Sequence, residues 1–239
     1  MITETGTINR VSSGIPDLDT LIDGGYPMNR TILITGGPGV GKTILAQQFA
    51  HNICKHGQKC LYLATEETPE DFIIQAQMLG IPMAEYVERG LIEIVPALSE
   101  RMDDIEWQRN KSGVSHLFKR PLAAIKASDA SFVVIDNIGS YTFDTTVGSF
   151  REQMDFLVNT MREKSITGMI ICDDTLNDRF NNVAQYSVYG VIHMFKRESP
   201  FTGNVERLMN VVKMRGTGTP LSYIRYTISK NGVNVQVPK

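Results

Sequence analysis

The sequence has few cysteines, and it lacks any long apolar run. Its three cysteines, Cys54, Cys60 and Cys172, show no Cys-x-x-Cys spacing and stand among apolar residues. This pattern argues against a disulfide scaffold and favours small core side chains in a reducing compartment. The apolar stretches, such as 60–64 and 169–172, are only strand-sized, whereas a membrane-spanning helix needs about 20 residues. Because no signal-peptide pattern is present either, we expect a soluble cytoplasmic protein with no membrane partner.

Charge of one sign is also lacking. The 239 residues include 24 Lys and Arg against 26 Asp and Glu, for a net charge of -2, which argues against binding nucleic acid through bulk charge. A hydrophobic fraction of 42% with 21% charged residues excludes a disordered chain. The length fits one α/β domain over residues 1–239.

A glycine-rich loop follows the β-branched segment 30–35. Residues 36–43, Gly-Gly-Pro-Gly-Val-Gly-Lys-Thr, match G-x-x-x-x-G-K-[ST], and 43–56 carries apolar residues at helical spacing. Glycines let the backbone wrap around an anion, and the N–H groups and dipole of the following helix add to the attraction. A glycine turn that binds nothing is the weaker alternative. We expect Lys42 to reach the β- and γ-phosphates of ATP and Thr43 to ligate Mg²⁺. The nucleotide contacts then come from Gly37, Pro38, Gly39, Val40, Gly41, Lys42, Thr43 and Ile44.

Acidic residues follow three further predicted strands. Asp136 ends the apolar segment 131–136, where a parallel sheet would place it at the ligand crevice, and we favour a role in holding Mg²⁺. Glu66 and Glu67 follow the segment 60–64, and either could act as a general base toward water. Glu67 could equally serve only the start of the next helix, for which Thr68 is the predicted N-cap. Asp173 and Asp174 could sense the γ-phosphate, but we favour a simple strand ending.

The pattern of the C-terminal part of the sequence predicts strands. Segments 188–195, 207–214, 223–228 and 233–237 predict antiparallel strands, with Asn231-Gly232 as the last hairpin turn. The fold class is therefore α/β, with a doubly wound, mainly parallel sheet and C-terminal antiparallel strands. A helix is predicted over 149–164, and the charged segment 100–120, which contains Trp107, is interpreted as a loop or an interaction surface.

The most specific segments are Glu-Glu-Thr-Pro-Glu-Asp at 66–71 and Lys-Met-Arg-Gly-Thr at 213–217. Together with the P-loop, with Asp136 and with the segment 14–27 that precedes the P-loop strand, they resemble the KaiC branch of the RecA-like P-loop ATPases. The resemblance extends from about residue 13 to residue 237. Only one P-loop is present, so the chain looks like a single-domain relative of the archaeal kind, whereas the circadian clock protein has two tandem copies.

The resemblance implies a hexameric ring that holds ATP and Mg²⁺ between neighbouring subunits. Glu66 and Glu67 match the catalytic glutamates, and Asp136 matches the metal-side aspartate. Lys213 and Arg215 match a basic pair that reaches the ATP of the adjacent subunit, where a cation neutralises transition-state charge. From the residues alone, this pair could instead form a solvated strand face. Further contacts to the neighbour's nucleotide are implied, more weakly, for Met214, Thr217, Ser229 and Lys230.

Several functions remain open at this point. The leading one is a ring-forming ATPase that regulates an unidentified protein partner, and autophosphorylation would rest on Ser187 alone. Circadian function is not carried over, because the second repeat is absent. The alternative is a DNA-dependent recombination ATPase, but the candidate channel loops, 143–150 and 174–185, contain no basic run. A small-molecule kinase, which would need an arginine-rich lid, is a third class.

Overall fold

The computed structural model describes residues 8–96, 118–142, 145–174, 178–200 and 203–237. Near the N-terminus, β1 (Arg10–Val11) and β2 (Tyr26–Pro27) form a small antiparallel pair. The segment 100–117, with Trp107, lies outside the described residues. Within the described part of the chain, no helix is long and apolar enough to cross a membrane.

One large sheet organises the rest of the fold. Its order is β11-β10-β9-β8-β3-β7-β6-β4-β5. The strands from β8 to β5 in this order run parallel. On the other side of β8 each neighbouring pair is antiparallel: β9 with β8, β10 with β9, and β11 with β10. The predicted fold class is confirmed. The strands are β3 (Thr31–Gly36), β4 (Cys60–Ala64), β5 (Ile92–Pro96), β6 (Phe132–Asp136), β7 (Thr167–Asp173), β8 (Gly190–Glu198), β9 (Val205–Met214), β10 (Ile224–Ser229) and β11 (Gly232–Gln236).

Helices cover both faces of the parallel part. They are α1 (Pro16–Leu21), α2 (Lys42–Lys55), α3 (Pro69–Met78), α4 (Met83–Glu88), α5 (Lys119–Ala127), α6 (Val147–Glu163) and α7 (Asp178–Ser187). Alternation along β3 sends Ile32 and Ile34 into one buried cluster and Leu33 into the other. Phe49 of α2 packs in the first cluster and Phe150 of α6 in the second, as their helical spacing predicts. The three cysteines are buried free thiols.

Two predictions around β8 are wrong. The strand was expected to be antiparallel, yet it pairs in parallel with β3, from Ile32↔Gly190 to Gly36↔Met194, and is antiparallel only to β9. The connection that makes this possible is α7, which lies in the region 174–185 that was interpreted as a loop. Its apolar side is short, with Ala184 buried and Phe180 and Val183 only partly so, and this weak pattern concealed the helix.

Candidate active site

The carboxyl ends of four neighbouring parallel strands meet at one edge of the sheet. β3, β7, β6 and β4 lie side by side in that order. Gly36 is in register with Asp173, and Ala64 with Asp136. This edge therefore collects the P-loop, Asp173, Asp136 and the Glu66–Glu67 pair, as expected for the ligand crevice of a parallel sheet.

The P-loop conformation depends on glycine at two closely packed positions. Gly41 has φ of 105°, and a Cβ there would stand 2.6 Å from Cδ1 of Ile228 on β10. A Cβ at Gly36 would collide with the carbonyl oxygen of Met194 on β8. The Tyr226 hydroxyl also donates to the carbonyl of Val40 at 2.7 Å, so the C-terminal strands support the loop from one side.

Lys42 is the buried cation of the P-loop. Its Nζ lies 2.5 Å from Oδ1 of Asp173 and donates to the carbonyls of Gly36 at 2.8 Å and Gly37 at 3.0 Å. Asp173 therefore does more than end a strand, and the preferred interpretation of it was wrong. In the sequence, Asp173 is only an acidic residue at the end of a predicted strand. Its role can be recognised only from the strand order, which places this strand next to the P-loop strand.

Asp136 is a buried carboxylate beside the P-loop hydroxyl. It accepts hydrogen bonds from Thr43 and, at 2.8 Å, from the Tyr62 hydroxyl. Burial raises the pKa of Asp136 to about 6, against the lowering effect of these hydrogen bonds. A buried carboxylate next to a hydroxyl is a hard oxygen set of the kind that Mg²⁺ accepts in P-loop proteins. Thr43 and Asp136 thus fit the predicted metal role.

Asn137 connects two acidic groups of the site. Its Nδ2 donates to Oε1 of Glu66 at 2.7 Å and to Oδ2 of Asp173 at 2.9 Å. Its backbone is held by Thr65, whose hydroxyl accepts from the Asn137 N–H at 2.7 Å and donates to the carbonyl at 2.9 Å. Sequence patterns do not single out this residue, because an asparagine after a strand carries no signal of its own.

Glu67 is half-buried and differs from Glu66 in its surroundings. Its Oε2 accepts from Nε2 of Gln75 at 2.6 Å, while Thr68 caps α3 by accepting from the Asp71 N–H at 3.1 Å. Burial, supported by the Asp136 carboxylate, raises the pKa of Glu67 to about 7, although the Gln75 hydrogen bond opposes the rise. A carboxyl with a pKa near neutrality is suited to general-base chemistry. Thr68 is the N-cap of α3, as predicted, and the catalytic role of Glu67 stays a prediction.

Lys213 and Arg215 lie toward the opposite edge of the sheet from this site. Met214 is in register with Gly190, which pairs with Ile32, and the Arg215 N–H bonds to the Tyr189 carbonyl at 3.3 Å. This places Arg215 level with the start of β3, about 16 Å along the strand from Gly36. The Lys213 ammonium donates to the carbonyl of Val188 at 2.9 Å, and burial lowers its pKa. The Met214 side chain is buried in the core, so only its backbone could reach a ligand.

The other residues assigned by resemblance divide between the two edges. Thr217 lies near Arg215, where its hydroxyl accepts from Arg10 at 2.8 Å. Ser229 instead ends β10 and Lys230 follows it in the β10–β11 turn, next to the chain's own P-loop helix. There Gln48 binds the carbonyl and N–H of Val233 at 3.2 and 2.7 Å. The turn thus adjoins the P-loop of the same chain, and contact of Ser229 and Lys230 with a nucleotide stays a prediction.

Ser187 also lies at the far edge. It ends α7, and its hydroxyl donates to Oδ1 of Asp155 at 2.5 Å. It lines a cavity of about 360 Å³ together with Arg30, Arg162 and Arg215. Because this cavity is at the amino ends of β3 and β8, the chain's own P-loop cannot deliver a phosphoryl group to Ser187.

A further cation near the P-loop was also missed. Lys196 on β8 places its Nζ 3.3 Å from the position of a Cβ on Gly39. The residue lies beyond Met194, which is in register with Gly36. A strand thought to pair only with C-terminal strands gave no reason to place Lys196 here, and the parallel pairing of β8 with β3 supplies that reason.

The fold and this site define a P-loop nucleotide-binding protein of the mixed α/β class. The chain belongs to the KaiC family of ATPases, whose family model, "ATPase: KaiC", matches residues 11–239. In a crystal structure, a KaiC-like protein of Pyrococcus horikoshii OT3 shares the fold with a TM-score of 0.77 and 25% identity, over 97% of this chain and 100% of that one.

Two kinds of relative share this similarity. The circadian clock oscillator protein KaiC of Parathermosynechococcus lividus is 25% identical over 237 residues, which is 98% of this chain and 42% of the relative. The chain thus spans less than half the length of that clock protein. A UPF0273 protein of Methanopyrus kandleri is 28% identical over 97% of this chain and 94% of the relative.

Proposed function

We propose that the protein binds ATP with Mg²⁺ and hydrolyses it within a homohexameric ring. The observation that carries the proposal is the gathering of Lys42, Thr43, Asp136 and the Glu66–Glu67 pair at one edge of the sheet. Lys42 would contact the β- and γ-phosphates, and Thr43 with Asp136 would hold Mg²⁺. The metal would neutralise charge on the phosphate oxygens.

The chemistry follows from the two glutamates. Glu66, fixed by Asn137, orients the attacking water, and Glu67 accepts its proton. The water oxygen forms a bond to the γ-phosphorus as the bond to the β–γ bridging oxygen breaks. The products are ADP and inorganic phosphate, and the Glu67 proton returns to solvent. A pKa near 7 leaves a substantial fraction of Glu67 ionised at neutral pH, as a base requires.

The position of the basic pair supports the proposal of a ring. Lys213 and Arg215 are at the edge of the sheet opposite the P-loop of the same chain, so a nucleotide that they contact must be bound to another copy. Such a head-to-tail interface is heterologous, and it closes into a ring when the rotation between copies permits. The near-neutral net charge of -2 gives no support to the DNA-dependent alternative.

Particle mass with and without nucleotide tests this assembly. In Mg-ATP we expect a particle of about six times the mass of one chain, with the hexamer weakened in Arg215→Ala. Arg225→Ala is the matched control, because its guanidinium pairs with Glu206 at 2.8 Å on the C-terminal strands. Light scattering or native mass spectrometry gives the answer. A monomer that hydrolyses ATP at the full rate would refute the shared site.

A further inference from the structure

The Asn137 amide lies between two carboxylates and joins the P-loop lysine to Glu66. Lys42 Nζ is 2.5 Å from Asp173 Oδ1, Asp173 Oδ2 is 2.9 Å from Asn137 Nδ2, and that nitrogen is 2.7 Å from Glu66 Oε1. The atoms form one continuous path from Lys42 to Glu66. We propose that Asn137 is a positioning residue that holds Glu66 in place and links its orientation to the P-loop lysine. The inference rests on the proposed ATP hydrolysis.

An asparagine side chain suits this position chemically. Its –NH₂ group carries two donors, and the two carboxylates that face it are acceptors. An aspartate there would have about the same size, but it would offer no donor and would add a third negative charge to the cluster. The function of the residue therefore lies in the amide protons rather than in the volume of the side chain.

The backbone of Asn137 is held in position independently of its side chain. The Thr65 hydroxyl binds both the N–H and the carbonyl of Asn137, at 2.7 and 2.9 Å, and the residue is 2% exposed. The amide thus extends from a fixed point, which keeps the entropic cost of orienting Glu66 low. A substitution at Asn137 removes the amide and leaves its attachment in place.

The link to Lys42 arises from competition for one ammonium group. Lys42 pairs with Asp173, and the same group is expected to bind the β- and γ-phosphates. A triphosphate on the P-loop draws the ammonium away from Asp173, which strengthens the hold of Asp173 on Asn137. The other proton of the same amide binds Glu66. Occupancy of the P-loop by a nucleotide therefore changes the hydrogen bonding of Glu66.

Steady-state ATP hydrolysis by the full chain tests the proposal. In Asn137→Ala we expect kcat to fall about 10- to 100-fold, the same range as for losing a residue that orients a metal ligand by a hydrogen bond. The KM for Mg-ATP should change by less than about threefold, because the phosphate contacts remain. Asn137→Asp, similar in volume, should lose at least as much. Asn181→Ala is the matched control: this asparagine is 8% exposed, and its Oδ1 accepts from the Cys172 thiol at 3.3 Å.

A double substitution separates positioning from structural damage. In a Glu66→Ala background, Asn137→Ala should reduce kcat by less than about twofold further, because its target is already gone. An equal loss in both backgrounds would overturn the proposal, as would near-wild-type kcat in Asn137→Asp or Asn137→Ala. If the alanine variant fails to fold, the aspartate variant carries the test. An inactive wild type would refute the proposed function itself, whereas an active wild type with active variants refutes only the role of Asn137.

Discussion

Lys42→Ala is expected to reduce ATP affinity at least about 100-fold and to abolish measurable hydrolysis. Loss of a buried, hydrogen-bonded charge costs about 2–5 kcal/mol, equivalent to roughly 30- to 5000-fold in binding. The loss should lie above the lower end of this range, because Asp173 would be left without its cation, 2.5 Å away, and would repel the phosphates. Binding of a fluorescent ATP analogue measures the effect.

The matched control for Lys42 is Lys59→Ala. Lys59 also forms an ion pair at 2.5 Å, with Asp129, but both side chains are exposed and away from the P-loop. Exposed pairs contribute only about 0–1 kcal/mol, so this variant should bind ATP normally and lose little stability. Nucleotide affinity within threefold of the wild type in Lys42→Ala would show that the loop is not the phosphate site.

Glu67→Gln is expected to retain ATP binding and to slow hydrolysis about 10²- to 10⁴-fold, the range for loss of a general base. The amide keeps the size of the side chain and can still bond with Gln75, so folding should be preserved. Glu70→Gln is the matched control, since Glu70 is exposed in the first turn of the same helix. A rate unchanged by Glu67→Gln would leave Glu67 without a catalytic role.

The raised pKa of Glu67 adds a pH signature to the same experiment. With a pKa of about 7 in the free protein, kcat/KM of the wild type should rise with pH and level off above about 7. The raised pKa has the opposite effect on stability. The folded state holds this proton more tightly than the unfolded state, so the free energy of unfolding falls as the pH rises from about 4.5 to about 7. In Glu67→Gln, kcat/KM should therefore no longer rise with pH. The variant should also have a higher Tm than the wild type at pH 8, but not at pH 4.

Local patterns predicted the P-loop, the buried faces of α2 and α6, and the strands of the large sheet except β5, because each of these is specified by neighbouring residues. The glycine run and Lys42 specify the loop, and Phe150 and Met154 recur at helical spacing. The sequence indicated Asp136 and the glutamates as well, since they directly follow apolar strands. Their catalytic assignment still depends on the experiments above.

The remaining parts of the site depend on strand order. Asp173 joins Lys42 because β7 lies next to β3, and Lys196 reaches Gly39 because β8 is parallel to β3. The position of Asn137 between two carboxylates arises only in the folded chain, which brings Glu66 and Asp173 together around it. The long connections between these strands leave their neighbours undetermined in a single sequence, so contacts across the sheet edge could not be predicted.

The shared active site is the central claim, and mixing two inactive variants tests it. Glu67→Gln subunits lack the base but keep Arg215, whereas Arg215→Ala subunits have the opposite defect. If Arg215 acts on a neighbour's ATP, random co-assembly makes about a quarter of the interfaces fully functional. Separately assembled variants, combined without exchange, provide the control.

The decisive measurement is the ATPase rate of the co-assembled mixture, with hexamer formation checked by mass. We expect the rate to reach about a quarter of the wild-type value, far above either variant alone. A mixture no more active than the average of the two variants would contradict an active site shared between neighbouring chains.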